Sequence, residues 1–332
     1  MTLTPEIIAH LQQRYPTDLL TYQGVTYPIT IYPARPDSAL DDLLGTFNQD
    51  LTSHHAIYDE SHLQQIRSTR PVTNGLCYIF DSFQTDPPRI NARLGHYFDM
   101  LATCDAIDHE LRANPTSTPL RDALHQSISP QEALYNGMGR SGTIGGAVLT
   151  VFNDGTTYRA LIVQRSNQVA TGAGKLHVMP AFIVQPSHDV MGEWSFRYHI
   201  IREYAEELFA MPEYEHWQTP VDSMHYFQHH PHVIELEAML ADGRAGLYAT
   251  GVVMNLMSLR YELCSLLVIH DPDWHKRNES DLQVALHTER QATFYPAIDR
   301  LDTLPPNWHT YIEPQGMGAL YLGLAFLKNI LK

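Results

Sequence analysis

Apolar and polar positions along this chain fall into runs that separate strands from helices. From Gly142 to Phe152 the residues GTIGGAVLTVF pass almost without a polar side chain, the pattern of a strand covered on both faces. Asn153-Asp154-Gly155 is a turn sequence, and Tyr158 to Arg165 (YRALIVQR) predicts the returning strand of a hairpin. Thr171 to Gly174 reads as a Gly-rich loop, Lys175 to Val184 as a further strand, and 185–192 as a loop leading into a helix. In that helix Phe196, Ile200, Tyr204 and Leu208 recur every four residues and predict one face held against a core. The closing stretch from Gly316 to Lys332 is the most apolar of all. Met317, Leu320, Leu324, Leu327 and Leu331 recur there at helical spacing, which predicts a buried terminal helix too short to span a bilayer comfortably.

Ahead of residue 141 the pattern is less regular. MTLTPEIIAHLQQRY predicts an amphipathic opening helix rather than a targeting leader. Thr21 to Tyr32 predicts a hairpin and Gly75 to Phe83 a strand. Leu94 to Leu111 predicts an amphipathic helix with Tyr97, Leu101, Cys104, Ile107 and Leu111 inward, ended by the Pro115–Pro119 segment. Asp99, Asp105 and Asp108 form its polar edge; Asp99 and Asp105 flank the apolar stripe and can reach a pocket. We divide the chain into an N-terminal α/β extension, 1–140, and a main domain, 141–332. The extension would cover a substrate cleft, build a homodimer interface, or do both.

Composition narrows the classes. A hydrophobic fraction of 44% with 18% charged residues is that of a packed globular core. A formal net charge of −15 opposes nucleic-acid or anionic-membrane partners, which need clustered positive charge. Cys77, Cys104 and Cys264 are far apart and are read as reduced core residues of a cytoplasmic protein. Of the 19 histidines, the densest group is His225, His229, His230 and His232. Pro231 interrupts helix geometry there, so the segment reads as a surface loop rather than a metal site.

The chemistry concentrates in Arg202-Glu203-Tyr204-Ala205-Glu206-Glu207. On a helix Arg202, Glu203, Glu206 and Glu207 stand side by side, three carboxylates with one cation. Such carboxylates repel one another unless the arginine or a divalent metal neutralises them, and hard oxygen donors suit Mg²⁺ or Mn²⁺. The same spacing also makes ordinary i,i+4 ion pairs, Arg202 with Glu206 for example. Glu262, between Tyr261 and Leu263 on a predicted strand, points either into a cleft or to water. His177 and His199 bracket the expected cleft and would touch a substrate phosphate or serve as structural histidines. Trp194, Phe182 and Tyr226 are the aromatic side chains placed to stack a base or to pack.

The order of paired strands ending in Arg165, a further strand, and a helix carrying R-E-x-x-E-E resembles the Nudix superfamily. Met179-Pro180-Ala181-Phe182 stands where that family has Pro-Gly-Gly, Trp194 where its box has an upstream glutamate, and Phe209 at its late glycine. The resemblance implies an α+β fold, a Nudix-like α/β/α sandwich with a mixed sheet. It implies a divalent-metal-dependent hydrolase of a nucleoside-diphosphate-linked, pyrophosphate-containing small molecule. By position, Glu203, Glu206 and Glu207 would bind Mg²⁺ or Mn²⁺, Arg202 would orient them, and Glu289 would be the base supplied by a later loop. Arg165, Phe182, Trp194 and His177 would contact the substrate. The replaced glycines suggest the alternative, a catalytically inactive Nudix-like nucleotide-binding sensor or partner protein.

Overall fold

A computed structural model describes residues 3–51, 55–165, 174–212, 227–301 and 304–331, the side chains of 283–290 aside. A small hairpin, β1 (Thr21–Tyr22) with β2 (Val25–Thr26), leads into β3 (Ile29–Pro33). β4 (Leu44–Asn48), β5 (Leu76–Thr85) and β6 (Pro88–His96) form a sheet of their own in the order β4–β6–β5. Then come β7 (Gly145–Asn153), β8 (Tyr158–Ala160), β9 (Ile162–Arg165), β10 (Leu176–Val178) and β11 (Ala181–Ile183). The chain finishes its strands with β12 (Ala245–Asn255), β13 (Arg260–Ile269) and β14 (Arg290–Phe294).

The central sheet is mixed, in the order β11–β7–β13–β12–β3, with β8 also paired to β7. β7 and β13 run parallel, and the other neighbours are antiparallel. Both middle strands read as apolar runs because both of their faces are covered. On one face Val148, Phe152, Leu263 and Leu267 join Ile200, Tyr204 and Leu208 of the carboxylate-bearing helix, Phe196–Phe209. On the other, Ala147, Leu149, Val151, Leu266 and Val268 meet Met317, Leu320 and Leu327 of the closing helix, Pro314–Ile330. The architecture is α+β, a mixed sheet between helices, as expected. The segment before residue 141 is woven into it, since β3 is the outer strand beside β12.

Several predicted elements are divided. The strand expected over 158–165 is two strands. β8 stays in the central sheet, while β9 pairs with β10 and β14 in a second, three-stranded sheet. The strand expected over 175–184 splits at Met179-Pro180 into β10 and β11, Pro180 having no N–H to continue a ladder. The helix expected over 94–111 starts at Tyr97, because β6 continues to His96, and it carries a π-turn at Leu101–Asp105 before resuming at Ala106–Ala113. Pro231 opens a helix, Pro231–Asp242, rather than lying in a loop, since the first turn needs no N–H from it. His230 at its N-cap is buried, His232 stacks on Phe209, and His225 and Tyr226 lie outside the described residues. Leu331 follows the closing helix and is exposed. Among the described residues no helix is long and apolar enough to cross a membrane.

The closing helix approaches the sheet through glycines. A Cβ on Gly323 would stand 2.7 Å from Cδ2 of Leu149, and one on Gly318 would stand 2.6 Å from Cγ2 of Val253. Gly323→Val is therefore expected to destabilise the protein by about 1–3 kcal/mol through overpacking. A thermal melt reads this directly, and an unchanged or higher Tm would contradict the close helix–sheet contact.

Candidate functional site

The register of the parallel pair decides where the site lies. Glu262 of β13 faces Gly145 of β7 directly. Gly145 has no side chain, and a Cβ built on it would meet Oε2 of Glu262 at 2.2 Å. The carboxyl group therefore folds down over the neighbouring strand. Glu262 is only 7% exposed and has no hydrogen-bond partner among the described residues. Burial pushes its pKa up to about 7, and Arg260 and Arg165 pull it back only in part.

This carboxyl group lines a cleft of about 260 Å³ at the end of the central sheet. β9 delivers Arg165 at its last position, and the guanidinium Nε is buried without a hydrogen-bond partner among the described residues. Arg260, two residues before Glu262 on the same face of β13, donates from Nε to the carbonyl of Thr143 at 3.1 Å and keeps its outer nitrogens for the cleft. β10 brings His177, whose ring lies against the closing helix, since a Cβ on Gly316 would stand 3.1 Å from it. Nδ1 of His177 is 2.9 Å from the carbonyl of Val178 and must be the protonated nitrogen, so Nε2 is an acceptor. Burial lowers the His177 pKa to about 4, and the ring is neutral. A neutral ring with Nε2 as acceptor suits a ligand O–H or N–H better than a phosphate oxygen. β11 supplies Phe182, whose ring lies over Gly146, where a Cβ would meet it at 2.5 Å. Arg165, His177 and Phe182, all expected at the substrate, thus meet in one place with Glu262.

The carboxylate helix does not line this cleft. Arg202 is buried at 6% exposure, with Nη2 donating to Glu203 at 2.8 Å and Nε 3.7 Å from Glu206. Nη1 donates to the carbonyl of Gln185 and to Ser187 Oγ. Burial works against the arginine's charge, but Glu203 and Glu206 outweigh it and hold its pKa above the ordinary value. Glu207 accepts from the backbone N–H of Ala181 at 3.1 Å and so braces β11, the cleft wall, against the helix. Glu193, one residue away from the position of an upstream box glutamate, accepts from the backbone N–H groups of Ser187, His188 and Asp189 and shapes the loop before the helix. Among the described residues no three His, Cys, Asp or Glu side chains gather as a metal-binding group. The donor set expected for Mg²⁺ or Mn²⁺ is arranged around an arginine and a strand backbone, and it does not fit a cation as it stands.

Trp194 and Glu289 depart from expectation, and His199 takes the structural one of its two readings. Trp194 is a packing residue away from the cleft: it lies against Tyr78 and Phe47, with ring centroids 4.8 and 5.7 Å away, and Nε1 donates to the carbonyl of Gly45. His199 is fully buried on the inner side of its own helix beside Tyr78 and Tyr198, and burial holds it well below its ordinary pKa. Glu289 ends the helix Trp274–Glu289 rather than sitting in a loop, and its side chain lies outside the described residues. The N-terminal segment adds Asp105, expected within reach of a pocket, and residues not expected there. Asp105, Asp108 and Arg112 face the cleft from above, and Glu313 and Gln315 do so from the start of the closing helix.

No protein-family model matches the chain, and no curated protein matches it by sequence. Among solved structures it is similar to a Nudix hydrolase from M. Smegmatis, RenU, at 11% identity and a TM-score of 0.26, over 57% of this chain and 86% of that one. It is also similar to a NUDIX hydrolase from Alicyclobacillus acidocaldarius at 13% identity and a TM-score of 0.27, over 55% and 90%. At that level of overlap neither likeness bears on what the site does.

A carboxyl group whose pKa is raised on folding binds its proton more tightly in the folded chain. Stability is then lost as pH climbs from about 4.5 through about 7. Glu262→Gln is expected to stabilise the protein at pH 8 by on the order of 3 kcal/mol and to have little effect near pH 4. Melting curves at both pH values test this, and an equal difference at the two would contradict a buried, titrating Glu262.

Proposed function

We propose that the protein hydrolyses a phosphoanhydride bond in a small, nucleotide-type molecule held in the Glu262 cleft. The observation that carries this reading is the solvent-poor carboxyl group, without a hydrogen-bond partner among the described residues, between Arg165 and Arg260. The two guanidinium groups would neutralise phosphate oxygens as charge builds at phosphorus. Glu262, as its carboxylate, would take a proton from the attacking water. A new O–P bond forms, the bridging P–O bond breaks, and the leaving phosphate departs as an anion that needs no proton. Phe182 would pack against the apolar part of the ligand.

The metal-dependent form of this chemistry would place Mg²⁺ or Mn²⁺ on Glu203, Glu206 and Glu207, with Glu289 as base. Because Arg202 and the Ala181 N–H already engage those carboxylates, no step is assigned to them beyond holding β11. The same engagement favours a second reading, a nucleotide-binding sensor without turnover.

A phosphate-release screen against nucleotides, dinucleoside polyphosphates and nucleotide sugars, with a phosphatase added to count monoester products, separates these readings. Turnover is expected to rise with pH through about 7, as Glu262 loses its proton. In Glu262→Gln it should fall by about a hundredfold or more, the usual size of a general-base contribution. Ligand-induced stabilisation with no turnover would support the sensor. Turnover lost in Glu207→Gln and kept in Glu262→Gln would return the chemistry to the helix and overturn the proposal.

A further inference from the structure

The roof of the cleft comes from the segment before residue 141, and its helical spacing is irregular in an informative way. Tyr97, Met100, Asp105, Asp108 and Arg112 all line the cleft. Their steps are three, five, three and four residues. A regular α-helix brings residues three and four apart to one face, and a step of five would carry the later side chains round the helix. The π-turn at Leu101–Asp105 absorbs the extra residue. It turns Asp105, Asp108 and Arg112 toward the cleft while Leu101, Ala102 and Cys104 stay in the core beneath.

Among its polar groups the roof brings further acceptors to the cleft. Asp105 accepts at Oδ2 from Nε2 of His62 at 2.8 Å and keeps Oδ1. Asp108 is taken up by Arg112, with both of its oxygens within 3.0 Å of Nε. Below the roof, Glu262 and Nε2 of His177 are acceptors, and Glu313 lines the same space at the start of the closing helix. Among the described lining residues only Met100, Ala181, Phe182 and Ile183 bring aliphatic or plain aromatic side chains. A plain hydrocarbon ring would leave these acceptors facing carbon and unpaired, which is costly in a buried site, whereas a ligand rich in O–H groups pairs with them. The volume of about 260 Å³ is also below the roughly 300–1,000 Å³ of pockets that enclose larger ligands.

We propose that the cleft selects phosphate esters of polyhydroxy units, a sugar or ribosyl phosphate, with Asp105, Glu313 and His177 accepting from the ligand's hydroxyl groups while Arg165 and Arg260 hold its phosphate. The rest of a larger substrate then lies outside the cleft. This rests on the cleft being the phosphate site argued above, and it adds the chemistry of the ester that enters.

Calorimetric titration of the full chain with ribose 5-phosphate, glucose 1-phosphate and phenyl phosphate tests it. The sugar phosphates are expected to bind about tenfold or more tightly than phenyl phosphate, the value of one hydrogen bond to a charged group. Asp105→Asn and Glu313→Gln should each narrow that preference while leaving phenyl phosphate binding near the wild-type value. The wild-type comparison needs no variant and stands even if Asp105→Asn disturbs the His62 contact. Equal binding of all three esters, or tighter binding of phenyl phosphate, would overturn the selection while leaving the phosphate site intact. Binding of none of them would overturn the phosphate site and this inference together.

Discussion

A single carboxyl group kept out of water organises the cleft end of this molecule. Glu262 can lie across β7 only because its partner in the parallel register is Gly145. Burying a carboxylate without a hydrogen-bond partner is unfavourable, and the raised pKa expresses that cost. The surroundings tolerate it because Arg165 and Arg260 are near enough to offset part of the charge without closing on it. A rigid frame is needed to hold such an arrangement. The closing helix pressed onto the sheet through Gly318 and Gly323 supplies one side, and the helix that braces β11 through Glu207 supplies another.

The charged helix follows a different logic. Arg202 sits in the protein interior with Glu203 and Glu206 around it, and removing the arginine would leave two close carboxylates uncompensated. The network joins the helix to the loop ahead of it through Gln185 and Ser187. That loop is also gathered by Glu193. Carboxylates that stand in a row on a helical wheel can thus spend their charge on structure. The cleft beyond β11 depends on them indirectly, through the position of the strand that carries Phe182.

Much of the frame was legible from periodicity. The four-residue repeat from Phe196 to Leu208 and the apolar run of β7 are local signals, and both elements formed where expected. Arg165, Phe182 and His177 line one cleft, because strand ends and the first residues after a loop gather at sheet edges. Glu262 was legible only as an alternating strand residue. Its direction depends on pairing with Gly145, more than a hundred positions away, which no local pattern contains. Asp105 was seen flanking the stripe, but the π-turn that aims it has no periodic signature. Trp194 reads as either stacking a base or packing, because an aromatic beside a charged helix has two uses. Only the distant Phe47, Tyr78 and Gly45 decide between them.

The central claim is that the ligand enters the Glu262 cleft rather than the face of the carboxylate helix. A crystal structure of the full chain soaked with a nucleotide sugar tests this most directly. The account predicts ligand density between Glu262, Arg165 and the roof helix, with its phosphate on Arg165 and Arg260. Density for the phosphates against Glu203, Glu206 and Glu207, with Arg202 displaced from them, would contradict it.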